Sequence, residues 1–272
     1  MPITLHLKRQ PTVPLEAEVL TPDVLAELSH AEISALTVYH GKRQLPLSEF
    51  FDIDGERSAD LVIHGDLPKV RWIGRAMSKG SVTVHGSVGM HLGAYMKGGR
   101  IEVHGDASDW IGAEMRNGVI LIHGNAGGQI GAAYRGGLRG MQNGIIVVDG
   151  TAGLEVGMRM RRGTIVVGGP AKDFVGLQMK GGTILLRSGA EIRTGAWMNR
   201  GTIISLKPIP LMPTFTYTSE STPLFLALLA KQLRPFGIAL PLSPQEGSYR
   251  MYSGDHAVSH KGEILIWNAA SA

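Results

Sequence analysis

No cysteine occurs among the 272 residues. That excludes disulfides, thiolate zinc sites, cysteine-ligated iron–sulfur clusters and cysteine nucleophiles from this chain, and it fits a reducing compartment. Aromatic residues make up 6% of the sequence and charged residues 18%, so the core must be built mainly from Ile, Val, Leu and Met. No stretch approaches the ~18 consecutive apolar residues of a membrane span. The opening segment MPITLHLKRQPTVP lacks the apolar centre of a signal peptide. The expectation is a cytoplasmic protein with no membrane partner. The formal charge of +4 falls well short of a nucleic-acid signature and is compatible with an acidic partner.

Glycine is in excess, with 37 residues, about twice the usual share of ~7%, and it falls on a period. A Met followed three residues later by Gly occurs at Met77, Met96, Met115, Met141, Met160, Met179 and Met198, in steps of 19 except for one of 26. A second marker, usually Ile, Val or Leu before Gly, runs through Gly74, Gly93, Gly112, Gly131, Gly157, Gly176 and Gly195. The two series disagree only between Gly131 and Met141, which places a seven-residue insertion within AAYRGGLRGM, residues 132–141. After each Met comes an alternating stretch: SVTVHG, RIEVHG, VILIHG, IIVVDG, TIVVGG, TILLRS, TIISLK; a partial copy, DLVIHG, precedes them. Each reads as a short strand with one face buried, with a second strand expected around the Gly marker.

A fixed period near twenty is the pattern of a solenoid, whose units bury their apolar faces only against one another. The fold class is therefore mainly β. A parallel β-helix of seven to eight turns is expected over residues 58–207, roughly 35 Å long at ~4.8 Å per turn, and right-handed by the rule for parallel crossovers. Residues 1–57 read as a small α/β cap, with a helix after Thr21-Pro22 and a strand at 35–41. Residues 208–272 read as an extension with an apolar helix at 223–233 and a late strand, GEILIW. A helix apolar nearly all round is buried on more than one side: one side covers the solenoid, and another is free to meet a different chain. The loops GGPAKDFVG and GGQIGAAYRGG look like phosphate cradles in isolation, but the glycines recur every turn and no βαβ unit surrounds them.

Three ladders follow from the repeat. The Met series reads as an internal stack. His64, His85, His104 and His123 fall on one position of successive turns, followed by Asp149. Residues stacked one turn apart do not wrap around an ion, so no metal is assigned to them. The residue after Met is basic in four of seven turns, Lys97, Arg116, Arg161 and Lys180, and the insertion adds Arg135 and Arg139. This strip reads either as a solvated corner or as an electropositive surface for an acidic partner or tail. No nucleophile–base–orienter set and no paired carboxylates on one element are found, and Asp106 and Asp109 read as turn residues.

Residues 96–153, MKGGRIEVHGDASDWIGAEMRNGVILIHGNAGGQIGAAYRGGLRGMQNGIIVVDGTAG, closely resemble the C subunit of the formylmethanofuran dehydrogenase family. They are more distantly similar to the GXGXG solenoid in the C-terminal domain of the large glutamate synthase polypeptide. The resemblance extends to residues 35–55, 215–229 and 252–265. It implies one of two assemblies. One is the archaeal molybdenum or tungsten enzyme. The other, favoured by the tail sequence, is the bacterial formyltransferase/hydrolase complex, which moves formyl from tetrahydromethanopterin to a methanofuran-type carrier and hydrolyses it to formate. In either, the resemblance places the carrier, the metals and the chemistry on partner subunits, and no cofactor on this chain. Carriers in this family bear glutamate-rich tails, which the basic strip could meet. The alternative is an enzyme domain using the ladder histidines or the insertion loop.

Overall fold

The structure, a computed structural model, describes residues 1–270. The N-terminal part contains β1 (Ile3–Leu7), β2 (Leu15–Glu16), α1 (Pro22–Leu25), α2 (His30–Ser34), β3 (Thr37–His40), β4 (Arg43–Pro46) and β5 (Phe51–Asp54). The repeats supply β6 (Asp60–His64), β7 (Val70–Arg71), β8 (Ser81–His85), β9 (Arg100–Val103) and β10 (Val119–Ile122). They continue as β11 (Ile145–Val148), β12 (Thr164–Val167), β13 (Lys180–Leu186) and β14 (Arg200–Ser205). The C-terminal part holds β15 (Thr216–Ser221), α3 (Phe225–Leu233), β16 (Gly247–Gly254) and β17 (Lys261–Ala269).

The alternating stretches form the strands of a parallel β-helix: β6, β8, β9, β10, β11, β12, β13 and β14 pair in sequence, all parallel. The inward positions, such as Val82, Ile101, Ile120, Ile146, Ile165, Ile184 and Ile203, are fully buried. A second line of parallel bridges runs Leu67, Val88, Ala107, Ala126, Ala152, Ala171, Ala190. The expected second strand at the Gly marker is instead a corner built on left-handed residues. In the first turn these are Trp72, Gly74 and Ala76, at φ 68°, 68° and 55°. Only the middle position requires glycine, because a Cβ on Gly74 would come within 2.5 Å of Ile101 Cδ1. The flanking positions accept larger residues at the usual left-handed cost of about 1–2 kcal/mol.

Every Met of the series is fully buried, and each is coupled to the glycine that follows the next Met. A Cβ on Gly99 would lie 2.5 Å from Met77 Cε, and one on Gly182 would lie 2.7 Å from Met160 Cε. The Met-x-x-Gly spacing is thus a contact between successive turns: the thioether fills the space that the glycine leaves. The insertion leaves this register intact. The Met141 N–H donates to the Gly131 carbonyl at 2.7 Å, as the Met96 N–H does to Gly93 at 3.1 Å.

Two features depart from the sequence reading. First, the strands from β10 onward are buried on both faces. Outward residues Leu121, Val147, Val166, Leu185 and Ile204 pack under Leu226, Leu229 and Leu233 of α3 and under Tyr249. The equivalent outward residues Thr83 and Glu102 of earlier turns are not covered in this way. Second, the sheet extends beyond the repeat at both ends. β1 lies parallel to β6, and β5 closes the edge antiparallel to β1. At the other end β17, the late strand, lies parallel to β14 with Gly262 opposite Gly201, and it takes the last Met contact, since a Cβ on Gly262 would meet Met198 Cγ at 2.6 Å. β16 and β15 then add antiparallel strands. No helix among the described residues is long and apolar enough to cross a membrane.

Candidate functional site

The residue after each Met is held by a bond between turns. The N–H groups of Lys97, Arg116, Arg161 and Lys180 donate to the carbonyls of Met77, Met96, Met141 and Met160 at 2.7–2.8 Å, with Gln142 on Met115 and Asn199 on Met179. The four basic residues therefore occupy one corner of the solenoid, interrupted at Gln142. Lys97, Arg116 and Lys180 are exposed, whereas Arg161 is half-buried and its Nε is buried without a hydrogen-bond partner. Arg135 and Arg139 are exposed on the inserted loop. Among the described residues none of these six cations forms an ion pair, although Arg71, Arg75, Arg100, Arg193 and Arg250 elsewhere do. The corner thus carries charge that the described residues leave without an ion-pair partner.

The inserted loop is braced rather than free. Tyr134 folds back so that its ring stacks on Trp110 with centroids 4.8 Å apart, and its hydroxyl is hydrogen-bonded to His91 Nδ1 at 2.9 Å. Trp72 stacks on His91 at 4.2 Å, and the Arg75 guanidinium lies over the rings of Trp72 and Tyr95. Burial, reinforced by the Arg71 charge and opposed by Asp109, pushes the His91 pKa down to about 4, so the imidazole is neutral at ordinary pH. Burial raises the Tyr134 hydroxyl above its usual range. Glu114 accepts the Tyr134 N–H at 3.2 Å, Arg159 donates to the Gly137 carbonyl, and the Gly140 N–H donates to the Arg159 carbonyl at 2.9 Å. This aromatic cluster was missed in the sequence, yet a signal exists: Trp72, His91 and Trp110 each stand two residues before a marker glycine, nineteen apart.

The histidine ladder is a stack of five rings. His64, His85, His104 and His123 follow one another at centroid distances of 4.7, 4.8 and 5.1 Å, and His6 of β1 adds a fifth ring 4.7 Å from His64. Burial, then the neighbouring His85 and His6, lowers the pKa of His64. At the far end His123 behaves in the opposite way. Its Nε2 meets Glu102 Oε1 and its Nδ1 meets Asp149 Oδ2, both at 2.9 Å. These two hydrogen bonds raise its pKa against partial burial, and the same bond to His123 holds the Glu102 carboxyl low. Glu102, His104 and His123 each offer one ligand atom within 4.8 Å of the others. A cation there would compete with the His123 ring and with Arg100, which donates to Glu102 at 2.9 Å. The arrangement as built is an ion-pair clamp across three turns.

Asp106 and Asp109 hold corners: their Oδ1 atoms accept the N–H groups of Asn125 at 2.6 Å and Gly128 at 2.7 Å, one turn on. On the opposite side of α3 from the solenoid, Leu224 and Leu228 are 92% and 73% exposed beside the fully exposed edge strand β15.

The GXGXG motif family matches residues 56–208. Over 95 residues the chain is 38% identical to the C subunit of the molybdenum-containing formylmethanofuran dehydrogenase 1 of Methanosarcina barkeri, covering 33% of this chain and 32% of the relative. Over 97 residues it is 40% identical to the C subunit of the tungsten-containing formylmethanofuran dehydrogenase 2 of Methanothermobacter thermautotrophicus, covering 34% and 36%. These matches span about a third of the length of either relative. The fold is similar to that of a chain of the formyltransferase/hydrolase complex of Methylorubrum extorquens, crystallised with methylofuran. The TM-score is 0.89 at 35% identity, covering 97% of this chain and 98% of that one.

Proposed function

From the chain's place in the GXGXG motif family, to which it belongs, we propose that it is a noncatalytic structural subunit of a cytoplasmic one-carbon-transfer complex. That complex moves a formyl group from formyl-tetrahydromethanopterin to a methanofuran-type carrier and releases formate by hydrolysis. The single observation that carries this reading is the likeness over nearly the whole chain to a component of the formyltransferase/hydrolase complex. We take the hydrolytic assembly as the reading because the likeness across the chain, at 35% identity, is to a chain of that assembly; the molybdenum and tungsten enzymes are matched in sequence over about a third of the chain. The partners are the other subunits of the complex, and the metals and the carrier's reactive end belong to them.

The basic corner fits one further part in that assembly. Lys97, Arg116, Arg161 and Lys180 repeat along one edge with no counter-ion among the described residues, which suits an anionic chain of glutamates laid along the solenoid. A repeated column of charge lets such a tail slide without a single fixed register, as a carrier moving between active sites needs. The experiment is to assay formyl-carrier hydrolysis with the purified chain, with the partner subunits, and with both. The expected outcome is no formate from the chain alone and full activity only from the assembled set. Formate from the isolated chain would overturn the reading.

A further inference from the structure

The inserted loop differs from the corner it interrupts. It is longer by seven residues, and it is held by groups that have no other evident task. Tyr134 is clamped between Trp110 and His91, Arg159 holds the Gly137 carbonyl, and Glu114 takes the Tyr134 N–H. The glycines fit the same picture. A Cβ on Gly137 would come within 2.7 Å of Glu114 Oε1, and one on Gly140 within 2.6 Å of the Met158 carbonyl. At Gly136, the tip, a Cβ would meet nothing within 4 Å. The base of the loop is therefore packed tightly while its tip stands clear of the body. That tip carries Arg135, Leu138 and Arg139, all exposed, with Leu138 69% exposed.

We propose that residues 134–140 form a preorganised knob through which this chain docks on another protein of its complex, Leu138 entering an apolar pocket whose rim is acidic and pairs with Arg135 and Arg139. The chemistry of the partner follows from the knob. An exposed leucine gains by burial against apolar surface, and among the described residues neither arginine forms an ion pair with an acidic group. Arginine is favoured for such contacts because its planar fork matches a carboxylate. Bracing matters to affinity. A loop already fixed in its bound shape loses little conformational freedom on docking, so more of the contact energy appears as binding. The knob is thus assigned to contact between subunits, and the straight column of Lys97, Arg116, Arg161 and Lys180 is left for the carrier. This inference rests on the chain being one member of a multi-protein complex.

The test measures assembly of the full-length chain with its purified partner subunits at two salt concentrations. Four forms are compared: wild type, Leu138→Ser, Arg135→Gln/Arg139→Gln and Tyr134→Ala. Leu138→Ser and the double arginine variant should each weaken assembly by about tenfold or more, as truncation of a central interface residue does, with the melting temperature of the isolated chain unchanged. The arginine variant should also lose most of the salt dependence seen in wild type. Tyr134→Ala should weaken assembly while all three tip side chains remain. If wild type assembles and the tip variants assemble equally well, the knob is overturned and the reading of the chain as a complex component stands. If the tip variants change only the response to a tailed carrier, the loop belongs to the carrier and the inference fails. If wild type does not assemble with those partners, the complex-component reading falls and the knob with it.

Discussion

The backbone N–H of Trp197 donates to the carboxylate of Asp255 at 2.9 Å. In each earlier turn the equivalent N–H has a carbonyl of the following turn to bond: Tyr95 to Ala113, Glu114 to Ala132, Arg159 to Leu177, Gln178 to Ala196. After Trp197 the repeat has ended, and the side chain of Asp255, brought back beside β17, supplies the missing acceptor. The first turn is closed in the mirror sense. Ser78 has no preceding Met carbonyl, and its N–H donates to Asp23 of α1 at 2.8 Å. A solenoid must terminate its orphaned backbone groups, and here one aspartate does so at each end.

Asp255 is nearly fully buried. Burial opposes its ionisation, but the Ala257 N–H, the Thr214 side chain, the Trp197 N–H and the nearby His256 together outweigh that and hold the carboxyl below the usual carboxylate range. Replacement by Ala should destabilise the chain by about 1.5–3 kcal/mol, the range for a hydrogen bond to a charged group. A depressed carboxylate contributes stability above its unfolded pKa of ~3.9, and that contribution is lost as pH falls through the folded value. Urea melts should show the full difference between wild type and Asp255→Ala at pH 6, shrinking below pH ~4. An equal difference at pH 3 and pH 6 would contradict the assignment.

The contact of Met160 with Gly182 predicts non-additivity. Met160→Asp should unfold the chain at ordinary temperature by burying an unpaired charge, whereas Met160→Leu should cost less than ~1.5 kcal/mol. Gly182→Ala introduces a Cβ 2.7 Å from Met160 Cε at φ 90°. Its cost should fall on a Met160→Ala background, where the methyl group is gone and what remains is the left-handed strain and the 3.1 Å approach to the Arg162 and Gly163 backbone. A double-mutant cycle by thermal melts checks this, and a coupling energy of zero would show that the two turns do not meet there.

The His123 clamp should stabilise on the acidic side of its titration. Its pKa is raised by Glu102 and Asp149, so its contribution is fully present below the unfolded value of ~6.5 and is lost as pH rises through the folded one. His123→Gln should therefore be less stable than wild type at pH 5.5 and approach it at pH 8.5. The clamp is partly exposed, so the difference should be small and reduced by salt. A wider gap at pH 8.5 would invert the assignment.

The parts of the fold legible in the sequence are those that a period enforces. Met160, Gly182 and Ile184 face the same lumen in each turn, so their types recur at nineteen and the solenoid could be read directly. What joins the solenoid from outside the period could not be read in that way. His6 reaches the histidine stack because β1 pairs with β6, and Asp255 closes a turn whose Trp197 lies 58 residues earlier. Tyr134 finds His91 across 43 residues. The covering of the outer face was missed, because each repeat reads as a strand with one buried face; yet VILI, IIVV and TIVV are near-continuous apolar runs, unlike SVTVH, which is how strands buried on both faces read. The basic column was legible as a pattern. Its lack of internal counter-ions was not, because ion pairing depends on where the acids of other turns fall.

The most direct measurement of the functional account is the KM of the assembled complex for a carrier with a polyglutamyl tail and for one without it, in wild type and in Arg116→Glu/Arg161→Glu. The account predicts a higher KM for the tailed carrier in the variant, more so at low salt than at high salt, with the untailed carrier almost unchanged. Unchanged KM values for both carriers in an intact complex would contradict it, showing the column to be an ordinary solvated edge. A parallel change for both carriers with a weakened complex would instead make the column an interface between subunits.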